Sequence, residues 1–267
     1  MNKIGRFAAY ALFLMPVLWS PASSLAQSPF DGTWRTDMDQ YKPPAKPSVF
    51  SLNNGMYSCS SCSPKIEVKA DGQDQPVTGQ SYDTISVREV DPKSIALTTK
   101  KGGKTISDQT RTVSDDGNTL TLKNTLHPEN SDQEVTVEVT YTRVGGKPAR
   151  GANGISGSWR VNKVKESENG RTTTYTSNGD ELSMSTATGE SYTAKLDGND
   201  YPVKGNYSFN SVSLKRINEC TIEETDKRDG KVIGVAKMIV APDGKKMTTI
   251  YTNKLTGTTS TYVAEKQ

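Results

Sequence analysis

The chain has 267 residues, of which 33% are hydrophobic and 24% charged. Its single histidine, His127, leaves little room for histidine-based catalysis or histidine metal sites. Abundant threonine and 11 tyrosines beside so small an apolar fraction suit thin β-domains better than thick helical cores.

Residues 1–26 have the three parts of a secretory signal peptide. Lys3 and Arg6 form a basic start, Phe7 to Trp19 an apolar run, and Ser24-Leu25-Ala26 a small-residue cleavage site. The run is shorter than the ~20 residues that span a bilayer, so export with cleavage is expected rather than a retained anchor. No cysteine sits at the site to carry a lipid, and no later stretch could cross a membrane as a helix. The expected location is the periplasm or the outside of a bacterial cell. Cleavage leaves 31 basic and 30 acidic residues, without the clustered positive charge that nucleic acid requires.

The remainder is one unit used twice. Gly32-Thr33-Trp34-Arg35 is answered by Gly157-Ser158-Trp159-Arg160. KADGQDQPVTGQ at 69–80 returns as KLDGNDYPVKGN at 195–206, with seven of twelve positions identical. ISVREVDPKSIALTTKKGGK (85–104) then aligns without a gap to VSLKRINECTIEETDKRDGK (212–231). Two homologous domains are expected, 28–144 and 155–267, joined by a Gly/Pro-rich linker over 145–154.

The predicted elements are all strands. In the first copy they cover 48–52, 66–70, 84–89, 94–99, 104–113, 119–126 and 134–144. In the second they cover 157–165, 171–177, 181–185, 191–196, 211–216, 220–225, 231–240, 246–252 and 258–264. Alternation such as Val135-Thr136-Val137-Glu138-Val139 turns one face inward. Asp-Gly pairs at 71, 116, 197, 229 and 243 mark tight turns. With open edges a liability, two tandem antiparallel meander barrels of about eight strands each are the expected fold.

A Gly-x-Trp on the first strand of such a meander resembles the lipocalins and the wider calycin group. The segments KLDGNDYPVKGN…VSLKRIN and DGKVIGVAKMIVAPDGKKMT are similar to uncharacterised secreted bacterial proteins with lipocalin-like repeats. The resemblance covers both halves. It implies calycin-like barrels, each with an internal ligand site and a tryptophan closing one end beneath a basic residue of the last strand. Arg143 would take that part in copy one. Its aligned position in copy two is Ala264, with Lys266 nearby.

Trp34 and Trp159 are therefore candidates either for a core plug or for ligand contact. Cys59-Ser60-Ser61-Cys62 reads as a short-loop disulfide in an oxidising compartment. A redox pair would want its first thiol at a helix start, whereas a turn entering a strand follows here. Too few soft ligands exist for a zinc site, and no metal or other cofactor is expected. Cys220 is left over, as a free thiol or an intermolecular partner. Asp71-Gly72-Gln73-Asp74 and Asp197-Gly198-Asn199-Asp200 read as hairpin turns with self-capping aspartates rather than calcium loops. His127 has no Gly-x-Ser-x-Gly elbow to serve, and Glu223-Glu224 must point to opposite strand faces.

The function expected from these readings is non-enzymatic: an exported binder of a small apolar ligand inside β-barrels. The alternative is an envelope-associated structural module that meets a protein or polysaccharide through an exposed aromatic cluster of Tyr41, Phe50 and Tyr57. A third reading is a periplasmic thiol-disulfide protein using Cys59 and Cys62.

Overall fold

The computed structural model describes residues 28–267; the leader reading of 1–26 lies outside the described residues. Among the described residues the chain is all-β apart from one 3-10 turn at Glu168–Gly170. It opens with β1 (Gly32–Thr36), β2 (Ser48–Asn53), β3 (Met56–Cys59), β4 (Ile66–Lys69), β5 (Asp71–Pro76) and β6 (Thr84–Asp91). There follow β7 (Ser94–Lys101), β8 (Lys104–Val113), β9 (Thr119–Leu126), β10 (Val135–Val144) and β11 (Gly157–Glu166). The remainder is β12 (Thr172–Asn178), β13 (Glu181–Thr186), β14 (Ser191–Lys195), β15 (Asp197–Lys204), β16 (Ser211–Asn218), β17 (Thr221–Arg228), β18 (Lys231–Val240), β19 (Lys246–Asn253) and β20 (Thr258–Lys266).

These strands form two ten-stranded antiparallel sheets, one closed into a barrel and the other rolled into a nearly closed one. The expectation of about eight strands is corrected to ten. The Asp-Gly segments at 71 and 197 do cap themselves: the Gln73 amide donates to Asp71 Oδ1 and the Asn199 amide to Asp197 Oδ1. They then continue as β5 and β15, each with a bulge in its ladder to the following strand. Residues that read as turns are thus bulged strands, as an extra residue under a positive-φ glycine allows.

The barrels do not coincide with the sequence copies. The second barrel is closed by β1, which pairs with β12 on one side and β20 on the other. The first barrel takes β11 in return, between β10 and β2. Each copy lends its first strand to the other. The expected linker is therefore no link between barrels: 145–156 joins β10 to β11 within the first barrel. Its end is built into that barrel's base, where Asn153 is 4% exposed and its Nδ2 donates to Glu89 Oε1 and the Asp91 carbonyl at 2.8 Å. The chain crosses between barrels over 37–47 and 167–171.

The exchanged strands carry the two tryptophans, both buried. Trp159 Nε1 donates to the Ile155 carbonyl at 2.8 Å, and Trp34 Nε1 to the Phe30 carbonyl at 2.7 Å. Arg143 on β10 lies 4.0 Å above the Trp159 ring, and Lys266 on β20 lies 4.9 Å from the Trp34 ring. Arg143 also donates to the carbonyls of Gly117, Gly154 and Ser156 at 2.6–2.8 Å. The Gly-x-Trp motif follows from this packing. A Cβ at Gly157 (φ 140°) would run into Arg143 Nη1, and at Gly32 the positive φ of 122° itself favours glycine.

The barrels are inside-apolar. Along β10, Val135 and Tyr141 face the core, while Thr136 and Thr142 face out, the reverse of a membrane barrel. Among the described residues no helix is long and apolar enough to cross a membrane.

Truncating a buried tryptophan costs about 3–5 kcal/mol. For Trp159→Ala the loss is expected in the first barrel, although the residue belongs to the second sequence copy. Hydrogen exchange of β2 to β10 should accelerate while β12 to β19 keep their protection. Acceleration confined to the second copy would mean that each copy closes on its own first strand.

Candidate functional site

Buried side chains cluster around each tryptophan. Above Trp159 the first barrel leaves a cavity of about 430 Å³, open where loops of the second barrel cover its mouth. Its aliphatic wall comes from inward positions of several strands, including Ile66, Ile85, Leu97 and Ile106.

The deep end is polar. Period 2 along β8, counted back from Val113, turns Arg111 and Gln109 inward. Arg111 is 8% exposed, its guanidinium 4.1 Å above the Phe50 ring and 5.7 Å from the Tyr57 ring centre. Its Nη1 donates to the Tyr57 hydroxyl at 2.8 Å and its Nε to Gln109 Oε1 at 2.7 Å. Every partner is neutral: among the described residues no carboxylate forms an ion pair with Arg111. Burial pushes the nearby Tyr82 phenol up to about 12, with the guanidinium pulling the other way.

The mouth carries titratable groups. Burial raises the Glu166 carboxyl to about 7, opposed by Arg171, and burial raises Glu190 too. His127 bridges two carboxylates, with Nε2 3.0 Å from Asp108 Oδ2 and Nδ1 3.2 Å from Glu134 Oε1. These acids flank opposite ring nitrogens, so the three side chains do not converge on one point. Among the described residues no group of three His, Cys, Asp or Glu side chains is placed to hold a metal ion. The Tyr207 hydroxyl, from the second barrel, lines the mouth buried and without a hydrogen-bond partner among the described residues.

The second barrel inverts the interior charge. Glu224 and Asp226 lie two apart on β17 and share its inward face with Ile222, opposite buried Leu214 and Val212. The Tyr192 hydroxyl donates to Glu224 Oε2 at 2.5 Å, while Asp226 Oδ1 is buried without a partner. Burial and mutual repulsion drive the Glu224 carboxyl upward, and burial raises Asp226.

No protein-family description matches the chain, and no curated protein matches it in sequence.

The residues singled out in the sequence fall in three places. Trp34, Trp159 and Arg143 form the barrel bases, away from the cavity. Cys59, the last residue of β3, and Cys62, on the turn into β4, have their Sγ atoms at disulfide distance, 2.04 Å, and Cys62 forms part of the cavity wall. Cys59 is 1% exposed within a strand, a setting without the helix start that makes a thiol reactive. Cys220 is free and half-buried in the turn just before β17. The expected aromatic surface cluster is corrected: Phe50 and Tyr57 are core residues, and Tyr41 stands apart from them against Tyr262, ring centres 4.8 Å apart. Period 2 pulls Phe50 and Tyr57 inward on β2 and β3.

Sequence reasoning missed Arg111 and the Glu224/Asp226 pair. The signal was available in the repeat. At an offset of 127, Arg111 aligns with Met238, Leu97 with Glu224 and Thr99 with Asp226.

Buried carboxyls with raised pKa values bind more protons folded than unfolded, so stability falls as pH rises. The stabilising protons are fully present below the unfolded value of about 4.3 and are lost as pH passes upward through neutrality. The second barrel should therefore unfold at lower urea near pH 8.5 than near pH 5. Glu224→Gln with Asp226→Asn should flatten this dependence and raise the midpoint at the alkaline end. An unchanged slope in the double variant would remove these carboxyls as its cause.

Proposed function

We propose that the chain is an exported, non-catalytic binding protein that holds a small, largely apolar ligand in its first barrel. The carrying observation is the cavity of about 430 Å³, of the size small-molecule sites have, with an aliphatic wall of Ile66, Ile85, Leu97 and Ile106 between a polar deep end and an open, polar mouth. Export is supported by the composition of residues 1–26 and by a cysteine pair suited to an oxidising compartment. The lipocalin-like character rests on the Gly-x-Trp motif and on the plug that each tryptophan forms beneath a basic side chain. Two of the three rings that motivated an interaction module, Phe50 and Tyr57, are core, so the binding reading is the one we carry forward.

A neutral fluorescent probe such as N-phenyl-1-naphthylamine should bind the mature protein with a blue-shifted emission. Leu97→Trp places a larger ring in the cavity and should weaken binding about tenfold or more, with the circular dichroism of the fold retained. A wild-type protein that leaves the probe in water would overturn the proposal.

A further inference from the structure

The first barrel holds a guanidinium that its own fold does not neutralise. Taking a charge out of water is costly, and buried charges in proteins are as a rule paired. Arg111 sits at the deep end of the cavity with an aromatic ring, a phenol and an amide as its partners. The architecture does not demand a cation there. In the second barrel the same position on the equivalent strand is Met238, 2% exposed and in contact with the Tyr175 hydroxyl at 3.6 Å. The ring beneath is also equivalent: Phe50 pairs with Gly157 as Tyr175 pairs with Gly32. One barrel thus closes its core with a thioether where its sibling places a permanent positive charge beside an open cavity.

Building on the binding role proposed above, we infer that Arg111 is an anion receptor and that the first barrel's ligand is an anionic amphiphile. Its head, a carboxylate or a group of like charge, meets the guanidinium at the deep end. Its apolar body runs between Ile66, Ile85, Leu97 and Ile106 toward the mouth. The strand from Ser107 at the mouth to Arg111 rises roughly 13 Å, room for a medium-length chain. Tyr57 and Gln109 hold Nη1 and Nε, which fixes the plane of the guanidinium and leaves its remaining edge for the head group.

The experiment uses the mature full-length protein near pH 7.5, with dodecanoate and dodecanol each competing against the neutral naphthylamine probe below micelle-forming concentrations. Wild type should bind dodecanoate about tenfold or more tightly than dodecanol. Arg111→Met, which copies the sibling barrel, should erase that preference while the neutral probe still binds. Arg111→Lys should retain part of it. The wild-type preference needs no variant, so a misfolded Arg111→Met leaves the inference testable. Equal binding of acid and alcohol by wild type overturns the anion receptor and leaves the apolar cavity standing. A preference that survives Arg111→Met also overturns it. Failure of wild type to bind the probe and both chains overturns the underlying binding role instead.

Discussion

Each tryptophan is clamped by a cation from the opposite copy. Arg143, near the end of copy one, stacks on Trp159, near the start of copy two; Lys266, near the end of copy two, covers Trp34, near the start of copy one. The two clamps are unequal. Arg143 satisfies three backbone carbonyls as well as the ring, whereas Lys266 reaches one, the Pro29 carbonyl at 3.3 Å. Because the clamps join exchanged strands, neither barrel is complete within one sequence copy. Arg35 on β1 adds a bidentate pair with Glu168 on the 167–171 crossover, both bonds 2.8 Å. That pair is exposed and contributes little stability; the tryptophan plugs and the ladders of β1 and β11 carry the exchange.

The strand content was legible because period-2 alternation and Asp-Gly punctuation are local signals. The exchange was not. Gly-Thr-Trp-Arg and Gly-Ser-Trp-Arg present nearly the same pattern to any neighbour, so β1 and β11 could close either barrel on local chemistry alone. The choice lies in the connections. The span 145–156 folds back as a hairpin loop with Asn153 and Ile155 buried in the base, which binds β11 to β10 and commits it to the first barrel. A Gly/Pro-rich composition suggested a spacer and hid this. Arg111 was legible in principle, as an interior position where the copies disagree, but an arginine flanked by threonines reads as a solvated face until the strand's inward row is fixed.

The two barrels also differ in how they close. In the second, β14 and β15 join through the pairs Ser191–Lys204 and Tyr192–Val203. The equivalent strands β4 and β5 form no ladder, so the first barrel keeps a seam beside Ile66 and Val77. The Cys59–Cys62 bond stands at the β3–β4 turn bordering this seam, where the register of the second barrel places Met184 opposite Tyr192. Gln80 Nε2 donates to the Pro64 carbonyl across the same gap at 2.7 Å. Covalent and side-chain ties thus hold the edge whose backbone pairing is missing. The cost of a ladder left open is reasonable where Cys62, Ile66 and Tyr82 wall a cavity.

Interior charge separates the siblings most sharply. Positions that pack Leu97 and Thr99 in the first barrel carry Glu224 and Asp226 in the second, and the position of Met238 in the second carries Arg111 in the first. Since each uncharged version coexists with a barrel in the same chain, neither charge is required to build the fold. The acids can relieve their burial by keeping a proton, a route open to any carboxyl whose pKa rises. An arginine has no such route, because its guanidinium stays protonated throughout the accessible pH range. The same desolvation therefore has different consequences in the two barrels: the second adjusts its protonation, while the first retains a fixed cation in the lining of its cavity.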